Sequence, residues 1–447
     1  MKQPKIKVGI LQNRDLIVFR IHGDYQINNT LKIKDKRLTA HVEDDRIVIK
    51  ENGSIIFQDQ SISLDPLKPL LSVFRSTYRV DIENVVIGID FHWERVEVES
   101  FEGKINIVNK NGKLSLINEI EIEKYLESVI SSEMNAASPY EYLKAHAIIS
   151  RSWLISQLER NKNHETKGNF IINDNERILW HDKTEHEDFD VCADDHCQRY
   201  QGITRIVTNK STQAVKETSG IVLIYNDKVC DTRYSKCCGG ITEQFENVWE
   251  DVHHPYLKAI YDGEIHEESF PAGEEEFSQF IKSSPPAYCN TQDENLLSTV
   301  LNFYDQTTKD FFRWKIEIKQ LALKTLLNLK LGIDFGEIKA LIPLERGNSG
   351  RVKKLKIVGT KKELVLGKEL EIRRALSEKH LYSSAFVVEP VYSEGSDIPH
   401  KFVLYGAGWG HGVGFCQIGG AVMASKGFKF KDILNHYFPG AELKKIY

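Results

Sequence analysis

Short segments of alternating apolar and polar residues occupy the first quarter of the chain. β-Branched residues recur at every second position between polar or glycine-containing turns, a pattern that predicts β-strands. No residue before Ser115 stands in a pattern typical of catalysis. We therefore interpret residues 1–115 as a β-rich support or binding region. The predicted strands are Lys5–Leu11, Leu16–Ile21, Ile47–Lys50, Ser54–Phe57, Val85–Ile89, Val96–Val98 and Ile105–Val108.

The apolar period changes to that of a helix at Glu121. Between this residue and Arg160, the pattern predicts two helices joined by a short polar break. Ser131 and Ser132 interrupt the first helix, so we expect Glu133 to lie in the break. An acid in such a break is a candidate catalytic group, although most charged residues simply face water. The apolar face of the first helix consists of Ile122, Tyr125, Leu126, Val129 and Ile130.

The second helix has a complete start signal. Ser138 is a candidate N-cap, Pro139 suits the first turn, and Glu141 stands where a capping box needs a carboxylate. Lys144 and Arg151 lie about two turns apart on this helix and project to one side. We assign these two cations to substrate binding or to structure, and Arg151 could equally tie the helix to the core.

Residues 116–447 mix helical and strand-like patterns, which predicts an α+β fold. We expect a β-rich core whose helix–break–helix carries the active site, with residues 1–115 as a separate β-rich part. The segment around 260–400 is less conventional, because an acidic stretch and a proline pair at 285–286 mark a boundary or an exposed loop. The predicted elements are helices Thr212–Gly220 and Leu321–Leu331 and strands Ile221–Tyr225, Lys353–Val358, Glu363–Val365 and Phe402–Tyr405.

Composition excludes several classes of function. The chain has 447 residues, 41% of them hydrophobic and 28% charged, which is ordinary for a soluble globular protein. The formal net charge is −5, without the excess of basic residues that is typical of proteins that bind polyanions. Nucleic acid is therefore not an expected partner. No apolar run reaches membrane-spanning length, and the first residues do not resemble a signal peptide. The chain is therefore a mature form, is exported by a route that the sequence hides, or stays inside the cell.

Two cysteines and two histidines stand close together in one polar segment, residues 186–197, which we call the Cys/His segment. They supply the ligand set of a tetrahedral structural zinc site: His186, Cys192, His196 and Cys197. The spacing is not that of a standard zinc finger, and two adjacent ligands would need an unusual local turn. His181 competes with His186 as a ligand. A Cys192–Cys197 disulfide and two free thiols are the alternatives.

Two glycine-containing segments are candidates for the wall of a cleft, because glycine lets the backbone approach a ligand closely. The first is residues 234–243, which a tight turn between strands would explain equally well. The second, residues 406–417, has glycine at alternate positions and presents Trp409 and His411. This alternation is not G-x-G-x-x-G, and there is no Walker pattern, so we predict no nucleotide or organic cofactor.

Several motifs resemble those of the SpoIID/LytB family, in the same order along the chain. Three departures are His146 where glutamine is usual, Cys416 in a pair that is usually Met-Ser, and the pair Gly419-Gly420. The motifs are Ser132-Glu133-Met134, Pro139, Leu143-Lys144-Ala145-His146-Ala147, Arg151-Ser152-Trp153, Gln198–Gly202, Ser235–Glu243, His254–Leu257, Arg346–Val352, Gly408–Gln417 and Ile433–Gly440.

The resemblance implies a lytic transglycosylase that cuts peptidoglycan glycan strands between MurNAc and GlcNAc. In such an enzyme the C6 hydroxyl of the sugar replaces water and forms a 1,6-anhydroMurNAc end, so one carboxylate suffices where a hydrolase uses two. Glu133 is the expected acid/base, and Arg151 and His411 are further expected catalytic residues. The expected substrate-binding residues are Lys144, Tyr234, Ser235, Gly239, Thr242, Gly410, Gly412 and Gln417.

The resemblance also implies a cell-envelope location, glycan strands as the partner and a structural zinc ion on the Cys/His segment. A different class of function competes with the enzyme: a non-catalytic peptidoglycan-binding protein or amidase enhancer, for which a cell-wall amidase is the partner. A metalloenzyme centred on Cys192 and His196 is disfavoured, because there is no H-E-x-x-H pattern and four ligands would leave no open position on the metal.

Overall fold

The computed structural model of the protein describes residues 3–67, 78–89, 91, 93–162, 170–179, 186–264 and 269–447. The N-terminal part consists of strands, as the alternating pattern predicts, and each predicted strand there corresponds to an observed one. These are β1 (Lys5–Arg14), β2 (Leu16–His22), β3 (Asp24–Ile27), β4 (Leu31–Lys34), β5 (Arg37–Glu43), β6 (Arg46–Glu51), β7 (Ser54–Asp59), β8 (Ser61–Pro66), β9 (Arg79–Ile87), β10 (Arg95–Phe101), β11 (Lys104–Lys110) and β12 (Lys113–Glu121).

Helices and short strands alternate in the rest of the described chain. A single turn of 3₁₀ helix at Asp305–Thr307 accompanies them. The elements up to residue 300 are α1 (Ile122–Glu133), α2 (Tyr140–Lys162), β13 (Phe170–Ile172), β14 (Glu176–Leu179), β15 (Val191–Cys192), α3 (Asn209–Glu217), β16 (Ile221–Tyr225), β17 (Lys228–Val229), β18 (Tyr234–Ser235), α4 (Phe245–Val248), α5 (Gly273–Lys282) and α6 (Glu294–Val300). Those that follow are β19 (Arg313–Lys319), α7 (Gln320–Leu331), β20 (Ile338–Arg346), β21 (Val352–Gly359), β22 (Glu363–Gly367), α8 (Glu369–Ala375), β23 (Phe386–Tyr392), β24 (Pro399–Ala407), β25 (Phe415–Cys416), α9 (Gln417–Ser425), α10 (Phe430–Tyr437) and β26 (Glu442–Lys445).

Two large sheets form the N-terminal part, and one of them extends beyond it through β15. One has the order β15-β1-β12-β11-β8-β3-β4, and the other has the order β10-β9-β2-β5-β6-β7. Strand β15 joins the first sheet in parallel with β1, pairing Val8 with Val191 and Gly9 with Cys192. Gly9 is required at this edge, because a Cβ atom there would lie 2.4 Å from the ring of Phe189. The edge of a sheet therefore holds the start of the Cys/His segment.

One hydrophobic core joins the strands before residue 115 to the helices after it. Its buried side chains extend from Ile6 to Ala441 and include residues of α1, α2, α9 and α10. A second core, from Trp314 to Leu404, fills the space between α7, α8 and the strands β19 to β24. The protein is thus an α+β protein rich in strands, as predicted. Among the described helices, none combines the length and the apolarity that crossing a membrane requires.

The predicted break between the first two helices lies later in the chain than expected. Helix α1 continues through both serines and ends at Glu133, because the Ser131 hydroxyl donates to the Glu127 carbonyl at 2.7 Å within the helix. The carbonyl of Ser132 accepts hydrogen bonds from the side chains of Asn302 and Tyr304, each at 2.8 Å. Distant side chains therefore stabilise the last turn of α1, and the expectation that Glu133 lies outside the helix is wrong.

The predicted capping box of the second helix is also wrong. Helix α2 begins at Tyr140, and the buried Ser138 hydroxyl has no hydrogen-bond partner among the described residues. Glu141 instead accepts a hydrogen bond from the backbone N–H of Phe430 at 2.9 Å and pairs with Lys144 at 2.6 Å. Its carboxylate thus holds the start of α10 against α2, a long-range contact that takes precedence over the local motif.

Candidate active site

A cavity of about 760 Å³ lies where α1, β18, the Cys/His segment and the glycine-rich segment 406–417 meet. Its volume falls in the range of small-molecule binding sites. Trp93, Trp153, Trp249 and Trp409 contribute aromatic surface to the lining. Flat apolar rings of this kind can pack against the C–H faces of sugar rings. Of the predicted site residues, those that line it are Glu133, His186, Cys192, His196, Cys197, Tyr234, Ser235, Gly410, His411 and Gln417.

Glu133 is the last residue of α1 and is 7% exposed. Its Oε1 atom accepts hydrogen bonds from the backbone N–H of Arg199 at 2.9 Å and from the Tyr234 hydroxyl at 3.0 Å. Its Oε2 atom accepts a hydrogen bond from the side-chain amide of Gln417 at 3.4 Å. Burial and the negative charge of Glu133 raise the pKa of the Tyr234 phenol well above its ordinary value, so this hydroxyl remains a donor. Three uncharged donors thus fix the carboxylate at the cavity wall.

His146 is part of the same network, although no chemical role is expected for it from the sequence motifs. Its Nε2 atom lies 3.2 Å from the amide nitrogen of Gln417, and its Nδ1 atom lies 3.1 Å from the Ser150 hydroxyl. Burial lowers the pKa of His146 to about 3, and the charge of Lys236 acts in the same direction. The ring is therefore neutral near pH 7, and its Nε2 atom can accept a hydrogen bond from the amide N–H of Gln417.

Lys236 and Arg199 form an ionic network behind Glu133. The Lys236 ammonium donates to the Glu133 carbonyl oxygen at 2.9 Å and pairs with Asp305 at 2.8 Å. The Arg199 guanidinium lies 3.4 Å from Asp305, 2.7 Å from Asp195, and 4.2 Å from the centre of the Trp93 ring. Sequence reasoning missed these residues. Lys236 and Arg199 lie inside motifs that resemble the family, whereas no signal pointed to Asp305.

His411 lies at the cavity with its ring held from two sides. Its Nδ1 atom accepts the backbone N–H of Val413 at 3.0 Å, and the ring of Trp249 meets it edge-on at 4.7 Å between centres. Burial and the charges of Arg233 and Arg351 lower the pKa of His411 well below its ordinary value, while a backbone hydrogen bond with Tyr234 raises it. His411 is therefore a neutral, oriented side chain.

The hydroxyl of Ser235 is the unused polar group of this wall. Its Oγ atom is buried and has no hydrogen-bond partner among the described residues, and the residue lines the cavity. A buried hydroxyl without a partner is unfavourable, and a ligand can supply the missing hydrogen bond.

The Cys/His segment brings its four predicted ligands together. One ligand atom from each of His186, Cys192, His196 and Cys197 lies within 4.8 Å of the others. Nδ1 of His196 is 3.7 Å from Sγ of Cys192 and 3.4 Å from Sγ of Cys197. A turn closed by the hydrogen bond from Cys197 N to Asp194 O, 3.0 Å long, allows the two adjacent ligands to face one point. Both cysteines are free thiols. The competing ligand His181 lies outside the described residues.

Two predicted cations do not line the cavity. The guanidinium of Arg151 is fully buried and binds Glu123 through two hydrogen bonds, of 2.9 and 2.6 Å, and the Ile221 carbonyl at 2.9 Å. This placement contradicts a catalytic role and fits the alternative that Arg151 ties the second helix to the core. Lys144 pairs with Glu141 and lies 5.1 Å from the centre of the Phe430 ring, which contradicts a substrate-binding role.

Three predicted wall residues also have structural roles instead. A Cβ atom on Gly239 would lie 2.7 Å from the backbone nitrogen of Gly408, so these two glycines allow two chain segments to touch. A Cβ atom on Gly412 would lie 2.4 Å from the Arg351 guanidinium. The Thr242 hydroxyl accepts the backbone N–H of Ile260 at 2.9 Å. None of the three predicted residues lines the described part of the cavity.

Comparison with known proteins gives matches over two separate regions, each of which contains residues of the cavity. A family model described as Stage II sporulation protein matches residues 110–225, and one described as a domain of unknown function (DUF8618) matches residues 243–414. The Stage II sporulation protein D of Bacillus amyloliquefaciens is 23% identical over 329 residues, which cover 74% of this chain and 76% of that protein. Residues 110–225 thus match the SpoIID family, in line with the resemblance of the motifs.

Other relatives extend this relationship. An uncharacterized protein of Brachyspira hyodysenteriae is 24% identical, covering 77% of this chain and 72% of its own length. The amidase enhancer of Bacillus subtilis is 24% identical, covering 71% of this chain and 40% of its own length. The similarity to SpoIID proteins supports a role connected with the cell wall. The matched region 110–225 contains Glu133 and the Cys/His segment, both of which line the cavity.

Proposed function

We propose that this protein is a peptidoglycan lytic transglycosylase that cleaves glycan strands between MurNAc and GlcNAc, with Glu133 as its acid/base. The observation that carries the proposal is the placement of Glu133, a buried carboxylate at the wall of an aromatic-lined cavity, in a region that matches the SpoIID family. Three uncharged donors orient it, and no ammonium or guanidinium group is paired with it among the described residues.

The proposed reaction needs one carboxyl group and no water. Protonated Glu133 gives its proton to the oxygen that bridges the two sugars, and the bond from that oxygen to C1 of MurNAc breaks. The C6 hydroxyl of the same MurNAc then bonds to C1, and its proton passes to the Glu133 carboxylate. The products are a 1,6-anhydroMurNAc end and a new GlcNAc end, and the enzyme returns to its starting state.

The surroundings of Glu133 suit both halves of this cycle. The carboxyl group is held at the cavity wall, where a bound glycan strand can reach it, as the first step requires. The donors Tyr234 and Gln417 stabilise the carboxylate that the second step uses. The unpartnered Ser235 hydroxyl and the oriented ring of His411 are the polar groups that we assign to holding the sugar.

We further propose that His186, Cys192, His196 and Cys197 bind a structural zinc ion. The chemistry of the donor set and the clustering of the ligand atoms support this. The ion would supply rigidity to the segment that leads to Arg199, whose backbone N–H contacts Glu133. In this proposal zinc takes no part in bond cleavage.

A second candidate function is enhancement of a separate cell-wall amidase without turnover. One relative carries the name amidase enhancer, and a carboxylate held by three donors also suits a binding role. A mass spectrum of the products from purified glycan strands tests the two candidates. The enzyme proposal expects fragments that end in 1,6-anhydroMurNAc. Intact strands, together with a faster amidase in a mixed reaction, would favour the enhancer and reject the enzyme.

A further inference from the structure

A second group of metal-ligating side chains lies in the core. The Sγ atoms of Cys238, Cys289 and Cys416 and a carboxylate oxygen of Asp262 all lie within 4.8 Å of one another. Each of these four residues is at most 2% exposed. None of them lines the described part of the cavity that contains Glu133, so this group is separate from the candidate active site.

The sulfur positions suit a shared ion better than a disulfide. Sγ of Cys238 lies 3.6 Å from Sγ of Cys289, and all the cysteines are free. Disulfide sulfurs lie about 2.05 Å apart. Two thiolates on one tetrahedral zinc ion, each with a Zn–S distance of about 2.3 Å, lie about 3.8 Å apart. Sγ of Cys416 accepts the backbone N–H of Cys238 at 3.2 Å, a hydrogen bond that stabilises a thiolate.

Asp262 is held in place as a ligand would be. Its Oδ1 atom accepts a hydrogen bond from the Tyr437 hydroxyl at 2.6 Å, and its Oδ2 atom accepts the backbone N–H of Cys289 at 3.0 Å. No lysine or arginine of the described residues pairs with this buried carboxylate. Outer hydrogen bonds of this kind orient metal-binding carboxylates.

A cation beside the cluster provides an independent indication. The guanidinium of Arg313 gives its hydrogen bonds to backbone carbonyls and has no carboxylate partner in the described part of the chain. One of these carbonyls belongs to Gly239, the residue that follows Cys238. A cation that is partly withdrawn from water favours negative charge nearby. Three thiolates and one carboxylate around a divalent ion carry a net charge of about −2, which supplies it.

We propose that Cys238, Asp262, Cys289 and Cys416 bind a structural zinc ion. Thiolates select soft metals, and the fourth, carboxylate ligand favours zinc over copper(I). Binding would release the three thiol protons to solvent. The ion would fasten four distant chain segments behind the cavity, because Cys416 directly precedes Gln417 and Cys238 follows the residue that bridges to Trp409. The proposal does not depend on turnover by Glu133.

Metal analysis of the full-length protein, purified without added zinc, tests the proposal. The key comparison is with the double variant Cys192→Ser/Cys197→Ser, which lacks the sulfur ligands of the Cys/His segment. We expect one zinc ion per chain to remain in this variant. A variant without zinc, or a mapped Cys238–Cys289 disulfide in the wild-type protein, would overturn the proposal.

Replacement of a buried ligand then assigns the remaining ion. Cys416→Ser should contain one zinc ion fewer than the wild type, and Cys230→Ser, a matched control at a cysteine that is 1% exposed and outside the cluster, should lose none. Unchanged zinc in Cys416→Ser would contradict the assignment. If Cys416→Ser does not fold, cobalt substitution of the Cys192→Ser/Cys197→Ser variant decides. Thiolate-to-cobalt absorption supports the site, and its absence rejects it.

Discussion

The side-chain amide of Gln417 lies 3.4 Å from Oε2 of Glu133, although 284 residues separate the two in the chain. The same amide nitrogen lies 3.2 Å from Nε2 of His146. One amide nitrogen has two protons, so it can serve both acceptors when the imidazole is neutral and has its own proton on Nδ1. That proton is then directed at the Ser150 hydroxyl, 3.1 Å away. A chain of hydrogen bonds thus runs from α2 to the proposed acid.

Replacement of Gln417 by methionine should lower kcat by roughly 10- to 100-fold with little change in KM. Loss of one hydrogen bond to a charged group costs about 1.5–3 kcal/mol, and 1.4 kcal/mol corresponds to a factor of ten in rate. Steady-state kinetics on purified glycan strands measures the effect. Gln157 also lines the cavity but contacts Asp231 and not Glu133, so Gln157→Met is the matched control and should keep kcat. Equal losses in both variants would show that Gln417 has no special role.

The buried imidazole should make the protein sensitive to acid. Burial lowers the pKa of His146 from 6.5 to about 3 in the folded state, so the unfolded chain binds this proton more readily below pH 6.5. The contribution of the neutral imidazole to the free energy of unfolding is complete above pH 6.5 and is lost as the pH falls toward 3. At pH 5 the loss is about 2 kcal/mol. The free energy of unfolding, measured with denaturant at pH 8 and at pH 5, should therefore differ less between the two pH values in His146→Gln than in the wild type. An identical difference in the two proteins would contradict the buried neutral histidine.

Arg151 should matter for stability and not for chemistry. Arg151→Met leaves the Glu123 carboxylate without its bidentate partner and should lower the free energy of unfolding by about 3 kcal/mol. Lys144→Met removes an ion pair within α2, with Glu141, near the surface. It should lower the free energy of unfolding by about 1 kcal/mol or less. Per molecule of folded protein, both variants should keep the activity of the wild type. A folded Arg151→Met protein with greatly reduced turnover would restore the catalytic role.

Local sequence pattern was sufficient for much of the fold. The alternation between residues 5 and 108 predicted strands that the structure confirms, and Ile221–Tyr225 has the predicted bounds. Prediction from local pattern failed where contacts with distant residues determine the conformation. Asn302 and Tyr304 donate hydrogen bonds to the end of α1. The backbone N–H of Phe430 binds the Glu141 carboxylate, which was expected to cap α2. Such contacts depend on the tertiary structure and leave no trace in a short window.

The candidate site was predictable where one motif carries several of its residues. The motif around Glu133 and the Cys/His segment each identified groups that the fold brings to one cavity. Motif membership could not separate the cavity wall from its support. Arg151 was therefore expected to be catalytic and Gly412 to bind substrate, although both pack in the interior. Asp305 was missed, because nothing nearby in the sequence distinguishes this buried acid from an ordinary surface acid.

Asp194, a partly buried acid that lines the cavity, competes for the role assigned to Glu133. Asp194 accepts the backbone N–H groups of Gly88 and Ile89, at 3.1 and 2.9 Å. Burial raises the pKa of this carboxyl to about 7, and the charge of Asp195 acts in the same direction. Asp194 is therefore the most demanding control for any test of Glu133.

The most direct test compares Glu133→Gln with Asp194→Asn on purified glycan strands, with the release of 1,6-anhydroMurNAc ends measured by mass spectrometry. Glu133→Gln keeps the shape of the side chain but removes its transferable proton, so its rate should fall by roughly 10²- to 10⁴-fold while glycan binding survives. Asp194→Asn, in folded form, should retain most of the wild-type rate. Release at the wild-type rate by Glu133→Gln would contradict the account.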